Sequence, residues 1–332
     1  MHSQVAFVHR THAGIFLLVV ALAFFAAPGH SRERSRPATA QLDEAETEYD
    51  ASDFPSTIQT CTQILAGDPD NPRALLLRGW SLTRLHKFDA ALVDLNDLLA
   101  LSPGSGYYLQ QRGHTLASAD RWQDALDDYR AAVEANPRDP IHYVNTAYVL
   151  DHLGDLTAAL EDSDTAIRIG PQVARTHECR GIIYFRHDRL REALADFENC
   201  AALTTAPIAY VHLHLWLVRQ RLGEKDAADR ELRTIFQPIE PTRDNIWLTA
   251  LAAYALGEVP DNALIEIATH AHPGQDRAHL CEAFYFIGEK KRLAGDWDAA
   301  AEYFHQCLAT GQSHWQEYGF AACELATFAP EH

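Results

Sequence analysis

The recurrence of small side chains at a fixed step of about 34 residues is the feature that most limits what this chain can fold into. Ala91, Ala125, Ala159 and Ala193 are separated by this step. The same step separates further small residues (Gly79, Gly113, Ala147, Gly181), large apolar residues (Phe88, Trp122, Leu156, Leu190) and prolines (Pro69, Pro103, Pro137, Pro171). A period of this length is typical of stacked supersecondary units, each of which needs its neighbours to bury an apolar face.

Each series has a physical role in a helical hairpin. Small residues let two helix backbones approach closely, and the large apolar residue after the turn packs between them. Proline then ends the second helix, because it has no amide proton and restricts the residue before it. Gly154 and Gly295 lie where the turn between the helices is expected, since glycine accepts the left-handed conformation. The other apolar residues recur at helical spacing, which predicts an all-α fold.

This spacing resembles the tetratricopeptide-repeat (TPR) family, whose unit has small residues at places eight and twenty, an aromatic at place twenty-four and a proline at place thirty-two. The matching windows are 72–105, 106–139, 140–173, 174–207 and 281–314, with degenerate units at 38–71 and 208–280. The resemblance implies a TPR helical-hairpin solenoid over residues 41–328, with about fourteen helices wound as a right-handed superhelix, and a tail at 329–332.

In TPR proteins the first helix of each unit lines an inner wall through places two, five, nine, twelve and thirteen. The candidate groove residues at these places are Arg73, Trp80, Arg84, Tyr107, Gln110, His114, Tyr148, Asp151, His152, Arg175, Glu178, Phe185 and Arg186. Aromatic and arginine side chains are enriched where proteins bind one another, so we expect a protein or peptide partner here. The alternative is that some of these aromatics pack between adjacent hairpins.

One known TPR specificity is disfavoured. The carboxylate clamp that binds chaperone C-termini needs Lys and Asn at places five and nine of its first unit. In the 72–105 window these places hold Leu76 and Trp80.

The C-terminal half resembles the NlpI family of bacterial envelope lipoproteins. The matching positions are 215–217, 245–247, 255–257, Glu282, Tyr285, Phe286, Gly288, 294–296, His314, Glu317, Glu324 and Leu325. The resemblance implies a homodimeric adaptor that brings peptidoglycan hydrolases to a protease. This sequence departs from the family because no cysteine follows the N-terminal apolar run before Cys61, so a lipid anchor is not expected.

The N-terminal segment at 1–31 has the layout of a secretory signal peptide. Arg10 and three histidines precede an uncharged apolar run at 13–27. This run is shorter than the roughly 20 residues that a membrane-spanning helix needs. We therefore predict a cleaved leader at 1–31, a disordered linker at 32–40 and a periplasmic location. The alternative is an uncleaved segment that anchors the protein in the inner membrane through residues 13–27.

Charge and motifs exclude several function classes. A net charge of -18 argues against nucleic acid, whose binding needs a basic surface. The pairs His212/His214 and His270/His272 are two residues apart and point to different sides of a helix, so we expect no metal site and no cofactor. No catalytic motif is present, which favours a non-enzymatic adaptor. The alternatives are a scaffold subunit of an export or polysaccharide-assembly complex, or an enzyme that uses His270 or His272 within 236–274.

The six cysteines allow two interpretations. Cys61, Cys200 and Cys307 fall at core positions of the repeat and can be small buried apolar residues. Alternatively, because exported proteins meet an oxidising environment, Cys179 and Cys200 can form a disulfide between the paired helices of one repeat.

Overall fold

The computed structural model describes residues 38–204, 210–242, 245–271, 276–313 and 315–328. The predicted signal peptide at 1–31, residues 32–37 of the predicted linker and the tail at 329–332 lie outside these ranges. The first helix begins at Ala38, so the last three residues of the stretch predicted as linker are helical.

All regular structure in the described ranges is α-helical, and no strand occurs there. The helices are α1 (Ala38–Asp50), α2 (Phe54–Gly67), α3 (Pro72–Arg84), α4 (Phe88–Leu101), α5 (Gly106–Ser118), α6 (Trp122–Ala135), α7 (Pro140–His152), α8 (Leu156–Ile169), α9 (Ala174–Arg186), α10 (Leu190–Leu203), α11 (Tyr210–Arg221), α12 (Lys225–Phe236), α13 (Ile246–Ala255), α14 (Asp261–Ala268), α15 (Asp276–Leu293), α16 (Trp297–Ala309) and α17 (Gln316–Phe328). The predicted all-α class is confirmed. The described ranges hold seventeen helices against about fourteen expected, because the irregular stretch 208–280 contains four complete helices instead of two and α17 follows the last unit. None of the described helices has both the length and the apolarity needed to cross a bilayer.

The starts of the helices coincide with the starts of the predicted units. Helices α3, α5, α7 and α9 begin at the first residues of the 72–105, 106–139, 140–173 and 174–207 windows. Proline occupies the first position of α3 and α7, where its missing amide proton costs nothing. The preceding Asn71 and Asp139 accept hydrogen bonds from Ala74 N at 3.1 Å and Ile141 N at 2.9 Å, and so cap these helices.

The turn inside each hairpin uses the same backbone conformation in successive units. Ser52, His86, Asp120, Gly154 and Asp188 recur at the step of the repeat and all have positive φ, between 54° and 84°. Only glycine adopts this region without steric cost. The turn is nevertheless kept where other residues stand, since the amide of the next residue bonds back to the carbonyl five residues earlier, as in the 2.9 Å bond from Arg189 N to Tyr184 O.

Small residues at place eight bring the two helices of a hairpin together. A Cβ added at Gly181 would lie 2.8 Å from the Phe197 ring, and one at Gly288 would lie 2.6 Å from the Phe304 ring. Both phenylalanines are fully buried. These glycines therefore make room for an aromatic ring of the second helix.

The chain forms two compact units, which divide within α5 after Thr115. The first unit has its own apolar core, which includes Leu42, Cys61, Leu75, Leu95 and Leu98.

The second unit, from Leu116 onward, has a larger apolar core that begins on α9 and ends on α17. Ile182 and Phe320 lie in this same core although they are far apart in sequence. The last helix is thus part of the second unit's interior.

Candidate partner-binding surface

In the first unit, aromatic side chains from α1, α2 and α3 form a continuous surface. The Trp80 ring lies 5.7 Å from that of Tyr49, which lies 5.6 Å from that of Phe54. The Trp80 indole N–H donates a hydrogen bond to Gln111 Oε1 at 2.9 Å, and this fixes the ring against α5. The Arg84 guanidinium lies 5.6 Å from the centre of the Phe54 ring.

Three of the predicted groove residues in this unit face solvent. Arg84, Tyr107 and His114 are exposed, and Tyr107 has 48% of its surface accessible. Trp80 and Gln110 are half-buried. We call these five residues the first-unit face. Arg73 is different, because it forms an ion pair with Glu46 of α1.

In the second unit, Tyr148 and His152 pack against Trp122 of the preceding hairpin. The His152 ring stacks on Trp122 with centroids 4.4 Å apart and an interplanar angle of 19°, and it lies 4.3 Å from the Tyr148 ring. Burial, helped by the nearby charge of Arg186, lowers the pKa of His152 to about 4. These two aromatics therefore pack between adjacent hairpins, as the alternative interpretation expected, and His152 is neutral at physiological pH.

The charged groove candidates of this unit have partners within the chain. Asp151 is buried and accepts from Arg186 Nη1 at 2.5 Å and from His187 Nε2 at 2.8 Å. Arg175 pairs with Glu178 of its own helix at 3.2 Å. The Asp151 contacts join α7 to α9, so they have a structural role.

Helix α17 covers the inner wall of the second unit. Phe185 of α9 is only 3% exposed because its ring packs at 5.0 Å against Phe320 of α17. Phe320 also contacts His214 of α11 and Tyr285 of α15, with ring centroids 6.2 and 5.5 Å away. In a TPR unit the first helices carry the ligand-binding wall, and here α17 lies against three of them. The chain's own last helix thus occupies the place predicted for a partner.

An ion-pair network holds α17 on this wall. Arg221 of α11 bonds to both carboxylate oxygens of Glu289 at 2.7 and 3.1 Å, and it forms a further ion pair with Glu324 of α17. Its guanidinium also lies 4.3 Å from the centre of the Phe185 ring. Burial acts to raise the pKa of Glu289, but Arg221 and Arg292 together lower it below its ordinary value. Glu289 is therefore charged at the centre of the network.

A second buried acid lies where α15 and α17 meet. Glu282 is fully buried and accepts hydrogen bonds at Oε2 from the Trp247 indole at 2.6 Å and the Tyr210 hydroxyl at 3.1 Å. Burial and the neighbouring Glu317 raise its pKa well above its ordinary value. Burial likewise raises the pKa of Glu317 to about 7. Glu282 is thus a neutral hydrogen-bonded acid that anchors α13 and α11 to α15.

The histidine pairs show no ligand geometry in the described ranges. His214 is buried and stacks on Phe197 at 5.1 Å, and burial lowers its pKa to about 4. His270 Nδ1 lies 2.9 Å from Glu266 O, and His272 lies outside the described residues. No group of three or more His, Cys, Asp or Glu residues placed to hold a metal ion occurs in the part of the chain that the structure describes.

The structure does not contain the Cys179–Cys200 bridge that was considered as the alternative. Both thiols are free and buried, and Cys179 Sγ lies 3.6 Å from Val144 O of α7 instead. Cys61, Cys200 and Cys307 are buried, which agrees with the first interpretation.

Sequence reasoning missed Tyr49 and Glu46, although a signal was present. They stand at places twelve and nine of the degenerate 38–71 window, where the same rule that selected Trp80 would have selected them. The covering of Phe185 by Phe320 had no such signal, because α17 follows the last repeat.

Comparison with known proteins agrees with the repeat architecture. The sequence profile of the tetratricopeptide repeat matches residues 42–106 and 111–174. The crystal structure of PilW, a type IV pilus biogenesis factor, superposes with a TM-score of 0.52 at 18% identity, over 61% of this chain and 95% of that one. A tetratricopeptide repeat protein from Parabacteroides merdae gives a TM-score of 0.51 at 15% identity, over 79% and 98% of the two chains.

The crystal structure of MamA is also similar, with a TM-score of 0.42, 23% identity and coverage of 50% of this chain and 91% of that one. TPR folds typically serve as non-catalytic scaffolds for protein interactions. The hairpin spacing, the profile match and the two larger superpositions together show that this chain contains tetratricopeptide repeats and has the all-helical fold of a TPR solenoid.

Proposed function

We propose that this protein is an exported, non-catalytic adaptor of the bacterial cell envelope that binds a protein or peptide partner on its first-unit face. The observation that supports this most directly is the contrast between the two units. Arg84, Tyr107 and His114 face solvent, whereas the wall around Phe185 is covered by α17.

The way α17 binds its wall indicates what a partner segment looks like. It places an aromatic residue, Phe320, against the Phe185 ring and an acidic residue four positions later, Glu324, against Arg221. Residues four apart share one face of a helix. The first-unit face offers the same combination of aromatic rings and arginine, so the proposed partner is an amphipathic segment that carries an apolar side chain and a carboxylate.

The cellular part of the proposal has separate support. The leader at 1–31 has the layout of a signal peptide, and the C-terminal half resembles the NlpI family. In its finer form the proposal is a homodimer that links peptidoglycan hydrolases to a protease in the periplasm.

Affinity capture from envelope extracts tests the binding surface. The bait is the tagged full-length chain, and it is compared with the double variant Arg84→Ala/Tyr107→Ala. The control is Trp297→Ala, which removes a 53% exposed aromatic side chain from α16, the second helix of its hairpin. Loss of two interface anchors at about 1 to 2 kcal/mol each predicts at least a tenfold drop in the captured partner. The Trp297→Ala bait is expected to retain it. Capture of every partner at unchanged levels by the double variant would show that the first-unit face is not the binding surface.

Cell fractionation tests export. We expect the mature protein in the periplasmic fraction, with a mass that lacks the leader. Recovery of the uncleaved chain in the inner membrane would support the anchored alternative through residues 13–27.

A further inference from the structure

Two cysteines that sequence spacing did not pair lie in contact inside the second unit. Cys281 is on α15 and Cys307 is on α16, the two helices of one hairpin. Their Sγ atoms are 3.3 Å apart, and both residues are fully buried. Cys179, by comparison, lies against the Val144 carbonyl.

We propose that Cys281 and Cys307 form a disulfide that covalently joins α15 to α16 in the exported protein. The inference rests on the export that the proposed function assumes, because disulfides persist in oxidising compartments. A bond needs the two sulfurs at about 2.05 Å, so they must approach by roughly 1.3 Å. Side-chain rotation within one packed hairpin can supply a movement of this size.

The bridge would stabilise the part of the hairpin that supports α17. Cys307 Sγ lies 3.7 Å from the Glu317 carbonyl at the start of α17. Joining α15 to α16 at this point restrains the segment of chain that leads into α17, and therefore the helix that covers Phe185.

The surroundings of the pair determine when it can be oxidised. The contact with Cys281, burial, and the proximity of Glu317 and Glu282 disfavour the Cys307 thiolate, whose pKa lies above its ordinary value. Thiolates are the reactive form, and solvent does not reach either sulfur. The bridge therefore forms before the hairpin closes, and closure then protects it from small thiol reductants.

The oxidant is a protein or glutathione disulfide, X–S–S–X. The Cys281 thiolate attacks one sulfur of X–S–S–X, which breaks that bond and releases one X thiolate. The Cys307 thiolate then attacks Cys281 Sγ in the mixed disulfide and releases the second. The two thiol protons pass to the two released thiolates. Two electrons are transferred, so the cysteine pair is oxidised and X–S–S–X is reduced to two X–SH.

Peptide mapping of the purified full-length chain tests the bond. Free thiols are alkylated under denaturing conditions without reductant, and the chain is cut with trypsin and then after glutamate. Cleavage after Glu302 and Glu317 separates Cys307 from Cys323, so a linked pair is assigned without ambiguity. We expect most molecules from the envelope fraction to carry the Cys281–Cys307 peptide pair.

Thermal unfolding supplies the second readout. Because the folded hairpin shields the bridge, the reduced sample is prepared by unfolding the chain in reductant and refolding it there. For a bridge that closes a loop with 26 residues of separation, this reduced sample is expected to have a Tm about 5 to 10 °C lower than the oxidised protein. Cys281→Ala and Cys307→Ala should lose the response of Tm to reductant. Cys179→Ala, which removes another buried thiol of the same unit, should keep it. A Tm that is equal for the oxidised protein and for protein reduced while unfolded and refolded in reductant would contradict the proposal.

A refolding experiment separates this inference from the proposed export. The reduced full-length chain is unfolded and refolded in a glutathione buffer with the poise of an oxidising compartment. Formation of the linked pair supports the bridge even if fractionation places the protein in the cytoplasm, in which case only the export proposal fails. Recovery of folded protein with both thiols alkylated would overturn the bridge whatever the location.

Discussion

The Arg180 guanidinium donates two parallel hydrogen bonds to the Asp196 carboxylate, from Nε to Oδ2 at 2.7 Å and from Nη2 to Oδ1 at 2.8 Å. Arg78 and Asp94, three steps of the repeat earlier, form the same two bonds at 2.8 and 2.7 Å. In both cases the arginine is on the first helix of a hairpin and the nearly buried aspartate is on the second. The same ion pair therefore joins the two helices of a TPR unit in both of these units.

Asp196→Asn should destabilise the second unit by about 2 kcal/mol, because it removes one charge of a largely buried bidentate pair. The matched control is Asp164→Asn, which alters the other partner of Arg180, bonded at 2.6 Å but 61% exposed. An exposed pair contributes about 0 to 1 kcal/mol, so the control should change little. Urea unfolding followed by circular dichroism measures both. Equal effects of the two changes would contradict the role assigned to Asp196.

Gly181→Ala should destabilise the protein by about 1 to 3 kcal/mol, since the new methyl group would lie 2.8 Å from the Phe197 ring. Gly79→Ala is the matched change at the same place of an earlier unit. Its Cβ would have Leu95 Cγ as its nearest neighbour, at an ordinary 3.5 Å. Alanine is also the better helix former by about 1 kcal/mol, so Gly79→Ala should be neutral or stabilising. Thermal unfolding of the two variants shows whether a nearby aromatic ring determines if the glycine-to-alanine change lowers or raises stability.

Glu317→Gln should flatten the pH dependence of stability. The folded chain holds the pKa of Glu317 at about 7, above its ordinary value of 4.5, so between these values the folded state binds more protons than the unfolded state. Its contribution to stability is full below pH 4.5 and is lost as pH rises through 7, by up to about 3 kcal/mol. The measurement is the urea unfolding free energy of both proteins at pH 4.5, 6 and 7.5.

Two buried histidines act in the opposite direction over part of this range. The pKa values of His152 and His214 are lowered from 6.5 to about 4, so they destabilise the fold as pH falls below 6.5. They are present in both proteins, and the difference between wild type and Glu317→Gln therefore isolates the carboxyl group. A difference that does not vary with pH would show that Glu317 titrates normally in the folded chain.

Phe320→Ala should loosen α17 and cost about 3 to 4 kcal/mol, because the buried ring contacts α9, α11 and α15 at once. Thr327→Ala, an exposed position of the same helix, should change stability by less than about 0.5 kcal/mol. Hydrogen exchange provides a local readout, since amides of α17 should lose protection in Phe320→Ala before those of α9. Unchanged protection of α17 would contradict its docking through this ring.

The hairpins were predictable because each rests on a short-range chemical rule. Proline at the first position, a small residue at place eight and an αL turn at place fifteen are all local, so the sequence showed where α3 and α7 begin. A local sequence change also explains why one unit lacks the arginine–aspartate pair. In the 140–173 window Thr146 replaces the arginine that pairs with aspartate, and burial raises the pKa of the corresponding Asp162 above its ordinary value.

The candidate site was less predictable because it depends on long-range packing. The groove-lining places of the TPR unit selected both Tyr107 and Phe185. Tyr107 faces solvent, whereas Phe185 is covered by Phe320. Likewise, Cys281 and Cys307 stand on one hairpin, but only their side-chain directions bring the sulfurs together. A periodic pattern predicts which face of a helix is buried. It does not predict which distant segment of the chain packs against that face.

The ion pair between Arg221 and Glu324 joins residues 103 positions apart. During synthesis α11 leaves the ribosome long before α17 exists, so the nascent chain carries an apolar and cationic surface with nothing to cover it. Plain repeat arrays can grow by nearest-neighbour addition from any point, but here the last step closes a loop over several earlier hairpins. Purified chains that stop short of residue 316 should therefore bind holdase chaperones that the folded full-length protein does not bind.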